Sequence, residues 1–277
     1  MLFIDWLKVT TNKINNTTDK YISDINLITL KVLNKKISDI DSSFIINEVK
    51  LKELDKYLKE YLTTDKPIAY ILGFELFLDQ IIKVSEDTLI PRQETEELVL
   101  ILVNKIKETF KSGSTIKIAD VCTGTGVIGI SLFFLLKNDY DVHIYLTDIS
   151  NEALIIARKN LELHNVSKYE VFQGNLLEPL IQNNIKVDVL TSNPPYIPLQ
   201  ENIQASVDKY EPPLALYTKD NKGLEYYNSI ISNSKFVLKE TYLMCFEISN
   251  YHSDFFDKSF TIYSYINNIP RIALKHN

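Results

Sequence analysis

Apolar residues recur along this chain in two rhythms. Up to about residue 72 they fall at helical spacing. Ile22, Ile25, Ile28 and Val32 form one stripe and Leu54, Leu58 and Leu62 another, with no glycine before Gly73 and no proline before Pro67. This predicts a small helical bundle whose stripes form its own core. From residue 115 onward the rhythm changes. Short β-branched runs alternate with helical stripes: IKIADV then 128–136, VHIYLTD then 152–163, then KYEVFQGN, KVDVLTSN, a helix near 223–238 and YLMCFEIS. Strands that alternate with helices pair in parallel, so this part is predicted to be an α/β, Rossmann-like doubly wound sheet.

Between the two parts, 76–78 and 81–84 flank Asp79-Gln80 and read as a short β-hairpin. Residues 88–92 read as an extended linker, because the residue before Pro91 is pushed away from helix. A helix over 94–111 follows, with Leu98, Leu102 and Ile106 on one side. The predicted organisation is a helical recognition domain over 1–72, a hairpin and linker over 73–92, and a sheet domain over 93–277. A chain of 277 residues with 45% apolar content can bury two such cores.

Charge and cysteine content narrow the function classes. The net charge is −6 and the pI about 5.4, a poor balance for gripping phosphates, so no direct nucleic-acid contact is expected. Cys122 and Cys245 cannot form a disulfide framework, which fits a reducing, cytoplasmic setting. The start, MLFIDWLKVTTNK, carries Asp5 and no long apolar core, so it does not read as a signal peptide. No run approaches the roughly 18 apolar residues of a membrane span. The four histidines are scattered, and no metal site is expected.

Candidate chemistry lies at the strand ends. In IADVCTGTGVIGISL a strand runs into Cys122, Thr123, Gly124, Thr125 and Gly126, and a helix follows. Ligands of open α/β sheets bind beyond the carboxyl ends of strands, and the two glycines permit a sharp turn and close approach. Cys122 stands where a dinucleotide loop would have its first glycine. Asp120 would repel a pyrophosphate and suits a ligand with a cation or free amine, such as S-adenosylmethionine. Asp148 ends the next strand at the spacing of an acidic residue that takes ribose hydroxyls. After the third strand, Asn175 is placed to bond an adenine amino group and Leu176 to cover the ring. After the fourth come Asn193, Pro194, Pro195 and Tyr196. The Asn193 side-chain oxygen and the Pro194 carbonyl can each accept one hydrogen of a planar NH2 group, and Tyr196 can cover the planar substrate. Held this way, a poorly nucleophilic amide or base amine is oriented toward a sulfonium methyl with no general base in contact.

From about residue 66 to the C-terminus the chain resembles the release factor glutamine methyltransferases, a family of class I methyltransferases. The resemblance rests on KPIAYILG, TLIPRQETEELV, DVCTGTGVIGISL, YLTDIS, SNPPYI, YEPPLAL, the glycine of NKGL and the terminal PRIAL. The first two blocks and YEPPLAL are far more specific than NPPY, which amino methyltransferases of DNA share. The resemblance implies methyl transfer from S-adenosylmethionine, leaving S-adenosylhomocysteine, to the glutamine nitrogen in the Gly-Gly-Gln loop of peptide chain release factors. It implies cofactor contacts at 122–126, Asp148, Leu176 and Asn193, and glutamine contacts at Asn193, Pro194, Pro195 and Tyr196. The N-terminal helices would grip the release factor. Asn175 stands where many relatives have Asp, and Leu176 replaces an aromatic seen in some. An adenine amino methyltransferase acting on DNA or RNA would use the same shelf but lacks support from the acidic balance. A non-catalytic adaptor would not need Asp120, Gly124, Gly126, Asp148 and Asn193 together.

Overall fold

A computed structural model describes residues 1–15, 21, 23–265 and 268–277, so Ile22 of the first predicted stripe lies outside the described residues. Four helices open the chain: α1 (Phe3–Asn15), α2 (Asp24–Leu33), α3 (Glu48–Thr63) and α4 (Ile68–Leu72). The predicted stripes meet. Ile25, Ile28 and Val32 of α2 and Leu54 and Leu58 of α3 are buried in one cluster with Phe3, Trp6 and Ile14 of α1, and Leu62 is half-buried at its margin. Asn47 caps α3 by accepting from the Lys50 N–H at 2.9 Å. Gly73, at φ +78, ends α4 and turns the chain into a hairpin.

The hairpin pairs β1 (Phe74–Phe77) with β2 (Gln80–Lys83), Phe77 opposite Gln80. The turn is Leu78-Asp79, not the expected Asp79-Gln80. Both turn residues take positive φ, 46° and 63°, the conformation whose twist suits a two-residue hairpin loop. The corrected register decides which side chains share a face. Successive residues of a strand point to opposite faces. Phe77 and Ile82 therefore enter the core of the large sheet, while Phe74 and Leu76 pack into the helical bundle. Polar ties reinforce both sides. The Lys31 ammonium donates to the Leu72 carbonyl at 2.9 Å, Lys36 pairs with Asp79, and the Leu78 N–H donates to Glu96 at 2.7 Å.

Helix α5 (Gln93–Thr109) leads into the sheet proper, with Leu98, Leu102 and Ile106 fully buried as the stripe predicts. The following elements are β3 (Thr115–Val121), α6 (Val127–Leu136), β4 (Asp141–Asp148), α7 (Asn151–Leu163), β5 (Tyr169–Gln173), α8 (Glu178–Gln182) and β6 (Val187–Ser192). A strap then holds β7 (Ile197–Pro198) parallel to β8 (Tyr217–Thr218) around α9 (Ala205–Tyr210) and α10 (Pro213–Leu216). The chain ends with α11 (Glu225–Ser234), β9 (Leu238–Glu247), β10 (Phe260–Tyr265) and β11 (Ile269–His276). The seven-stranded sheet has the order β10-β11-β9-β6-β3-β4-β5, with β11 antiparallel to both neighbours. The last two strands were not expected from the sequence. Pro270 sits in β11 beside an irregular register with β10, and a proline weakens any strand pattern. The chain runs β3-β4-β5 toward one edge and then returns to β6 on the other side of β3. The carboxyl ends of β3, β4 and β6 thus share one rim at the switch point.

Residues 88–92 carry no regular element, as predicted, and buried polar groups pin them above that rim. The Tyr70 hydroxyl donates to the Thr88 carbonyl at 2.6 Å, the Ile90 N–H donates to Glu211, and the Arg92 guanidinium pairs with the same buried carboxylate. The Thr95 hydroxyl donates to buried Glu247 at 2.5 Å, and Tyr227 donates to the Glu247 carbonyl at 2.7 Å. Burial pushes the Glu247 carboxyl up to about 7. Glu94 adds to the rise, and the Thr95 bond, Arg271 and Arg92 oppose it. Among the described residues no helix is long and apolar enough to cross a membrane, and no cluster of side chains could hold a metal ion.

Ile82→Ala should lower folding stability by about 2–5 kcal/mol in a urea titration, because it empties a fully buried site where the hairpin enters the sheet core. Glu247 should make stability depend on pH. Its folded-state value lies above the ordinary 4.5, so the native state holds the extra proton and stability falls as pH rises from about 5 through 7. Glu247→Gln should reduce this dependence by on the order of 3 kcal/mol, by the conversion of a pKa difference into free energy, and leave the share that buried Asp120 contributes over the same range, measured by denaturation at pH 5 and pH 8.

Candidate active site

A cavity of about 710 Å³ opens at the rim between the sheet, the linker and the strap. Its floor is the loop between β3 and α6. Cys122, Gly124 and Gly126 all take positive φ (56°, 53° and 82°), so the backbone reverses within five residues. A Cβ on Gly124 would meet nothing within 4 Å, which leaves that surface free for a ligand. A Cβ on Gly129 of α6 would lie 2.9 Å from both Ile144 and Leu146, so the glycine lets the helix press against the sheet.

Two carboxylates set the loop's shape. Asp148 accepts from the Gly124 N–H at 2.8 Å through one oxygen and from the Ser150 N–H at 3.0 Å through the other. Each oxygen keeps a second acceptor position, and the side chain lines the cavity, so ribose hydroxyls can still be held there. Burial raises its pKa and the backbone donors lower it. Asp120 behaves differently from the expectation. It is fully buried and does not line the cavity. Its Oδ2 accepts from the Thr123 hydroxyl at 2.6 Å and from the Gly129 N–H at 3.0 Å. Asp120 thus shapes the loop from below instead of facing a ligand's amine. Burial pushes its carboxyl up to about 7, and Asp148 adds to the rise.

Cys122, Thr123, Gly124, Thr125, Asp148, Asn175, Leu176, Asn193 and Pro195 share the cavity wall, whereas Gly126, Pro194 and Tyr196 do not line it. Gly126 is the cap of α6, against Ala157 of α7. The Asn175 amide donates to Glu178 at 3.0 Å, which leaves its carbonyl oxygen free as an acceptor. Leu176 is held at positive φ, 50°, while its carbonyl accepts from Thr147 at 3.0 Å. At the end of β6 the Ser192 hydroxyl donates to the Val121 carbonyl at 2.7 Å, which joins the NPPY stretch to the end of β3. No hydrogen bond within the described residues uses the Asn193 side-chain amide or the Pro194 carbonyl. Tyr196 was expected to cover a substrate. Its ring instead stands edge-on to His252, with centroids 6.1 Å apart. A Cβ on Gly223 would fall 2.1 Å from the Tyr196 carbonyl oxygen, so only glycine fits behind the shelf.

The cavity also recruits residues that carried no individual role in the sequence. Thr88, Leu89, Pro91 and Thr95 come from the linker side, Pro212, Leu214 and Ala215 from the strap, and Glu225 and Tyr226 from α11. The blocks LIPRQ and YEPPL were distinctive strings. What joins them is the Arg92–Glu211 pair, 119 residues apart in sequence. Buried Asn160 had no signal beyond its place in a predicted helix.

A family model described as Methyltransferase small domain matches residues 96–209. A release factor glutamine methyltransferase of Mycoplasma mycoides subsp. mycoides SC is 35% identical over 228 residues, 80% of this chain and 77% of that protein. The Clostridium acetobutylicum enzyme of the same name is 33% identical over 247 residues, 86% of this chain and 82% of that one. The Bacillus subtilis one is 36% identical over 183 residues, 66% of this chain and 62% of its own length, so that alignment spans less than two thirds of the relative. With a doubly wound sheet, a glycine loop and an NPPY shelf on one rim, and relatives of this similarity, the chain belongs to the release factor glutamine methyltransferase family.

Proposed function

We propose that the protein transfers a methyl group from S-adenosylmethionine to the side-chain amide nitrogen of the glutamine in the Gly-Gly-Gln motif of peptide chain release factors, in the cytoplasm. The observation that carries this reading is an amide, Asn193, with no hydrogen-bond partner among the described residues, on the same cavity wall as Asp148 and the loop over 122–125. The residues present fit the cofactor. Gly124 leaves open space, Asp148 keeps acceptor capacity for the ribose, Leu176 offers apolar cover, and the Asn175 carbonyl can accept from the adenine amine. When bound, S-adenosylmethionine supplies a methyl group on a positively charged sulfur.

The chain's own residues do the rest. The Asn193 side-chain oxygen, on the cavity wall, accepts one hydrogen of the substrate amide, and the Pro194 carbonyl, which carries no bond among the described residues although Pro194 is otherwise off that wall, accepts the other; this fixes the amide's plane and aims the nitrogen lone pair into the cavity. As the nitrogen bonds carbon and turns positive, the two oxygens stabilise the developing charge. The nitrogen then releases one of its protons to solvent. Tyr196, backed by His252 and Gly223, holds the shelf from behind. The segment over 1–72 forms the recognition domain, the hairpin and linker over 73–92 join it to the catalytic domain over 93–277, and exposed Leu2, Ile45 and Val49 offer the helical domain an apolar surface for a protein partner.

Labelled cofactor and a release factor should give a single labelled glutamine, and a release factor with that glutamine changed to Ala should stay unlabelled; label on the Ala form overturns the assignment. Asn193→Ala should keep the fold and lose on the order of 100-fold or more in turnover. Gly223→Ala should reduce turnover by about 100-fold through displacement of the shelf, with S-adenosylhomocysteine binding retained in calorimetry.

A further inference from the structure

Asn160 lies on α7, fully buried. Burying a primary amide is costly unless its donors and acceptor are met, so its partners show what it is there to hold. Its Oδ1 accepts from the Lys83 N–H at 2.8 Å, and its Nδ2 donates to the Lys83 carbonyl at 3.0 Å. The same Nδ2 donates its other hydrogen to the Thr125 carbonyl at 2.9 Å. One helical turn later, His164 Nε2 lies 2.9 Å from the Ile81 carbonyl.

The spacing explains why a helix can serve here. Four helical residues rise about 6.0 Å and two strand residues about 6.6 Å. Side chains 160 and 164 therefore meet the backbone of residues 83 and 81 in register, and they complete the edge of β2, which among the described residues has no strand on that side. The last hydrogen of Asn160 reaches beyond the hairpin into the glycine loop, at a residue that lines the cavity. Helix α7 touches that loop a second time where Ala157 packs against Gly126. On its far side the hairpin is anchored in the helical bundle by Phe74 and Leu76.

We propose that Asn160 is a positioning residue that locks the hairpin to the loop over 122–126, so that cofactor occupancy and hairpin order are coupled. The inference rests on the cofactor reading given above. Removing the amide strips the Thr125 carbonyl of its donor and frees Lys83 at the same time, so neither end can register the state of the other. Coupling of this kind is reciprocal: a ligand that orders the loop must also order β2.

The test uses the full chain, calorimetric titration with S-adenosylhomocysteine, and amide hydrogen exchange across 80–83. In the wild type, saturating ligand should slow exchange at Lys83. Asn160→Ala should bind the ligand roughly tenfold more weakly, and its β2 amides should no longer respond to saturating ligand. Asn160→Asp keeps the acceptor for Lys83 but loses both donations, and should also lose the response, which covers the case of a poorly folded Ala variant. His164→Ala, which leaves Asn160 in place, should keep it. Wild-type binding that leaves β2 exchange unchanged, or Asn160 variants with wild-type affinity and response, would overturn the inference while leaving the cofactor reading intact. Failure of the wild type to bind S-adenosylhomocysteine would overturn both.

Discussion

The site depends on how two carboxylates dispose of the backbone donors in one short loop. A chain that leaves a strand, reverses and starts a helix exposes several N–H groups with no partner of their own. Asp148 takes that of Gly124 along with the Ser150 N–H of its own turn before α7, and Asp120 takes that of Gly129 together with the Thr123 hydroxyl. With these satisfied, Cys122 can persist at a positive φ that a non-glycine residue adopts only when its surroundings demand it. The same two acids divide the labour by depth. The buried one fixes shape, and the one at the cavity wall keeps lone pairs for a ligand.

The rest of the molecule places other segments against that loop by long-range polar contacts. Glu211 holds Ile90 and Arg92, Glu247 holds Thr95, and Asn160 holds Lys83 and Thr125. All three are buried, where a polar side chain is stable only when bonded, so each specifies one arrangement of the segments it joins. Behind the NPPY shelf the restraint is steric. The missing Cβ of Gly223 lets α11's approach segment come against the Tyr196 carbonyl. The hairpin sits at the centre of this arrangement, with one face in each core and its outer edge closed by α7.

Much of this was legible from the chain. Helical spacing located the stripes at Ile25, Ile28, Val32, Leu54 and Leu58, and the alternation of β-branched runs with helices located β3 to β6 and β9. Glycines and an acid at strand ends marked the cavity floor, and Asn193 and Pro195 of NPPY marked its wall. Other readings changed, Gly126 and Pro194 lying off the cavity wall among them. The hairpin turn moved by one residue, because register is set by which side chains can be buried. Asp120 moved from ligand to scaffold, since its depth below the loop is not a property of its sequence neighbours. Tyr196 does not line the cavity, and its ring stands edge-on to His252, 56 residues away. Strands β10 and β11 went unseen because Pro270 and an irregular register break their pattern.

What the sequence determined by itself is whatever depends on neighbours within a few turns: periodicity, capping, glycine at positive φ, and the proline-stiffened shelf beside an amide. What only the tertiary structure decided is which distant groups share a boundary with the cavity. The partners of Arg92, Thr95 and Thr125 lie 119, 152 and 35 residues away. Such pairings follow from the way the sheet brings strand ends onto one rim, and from the cost of burying a polar group there without a partner, which no local pattern encodes.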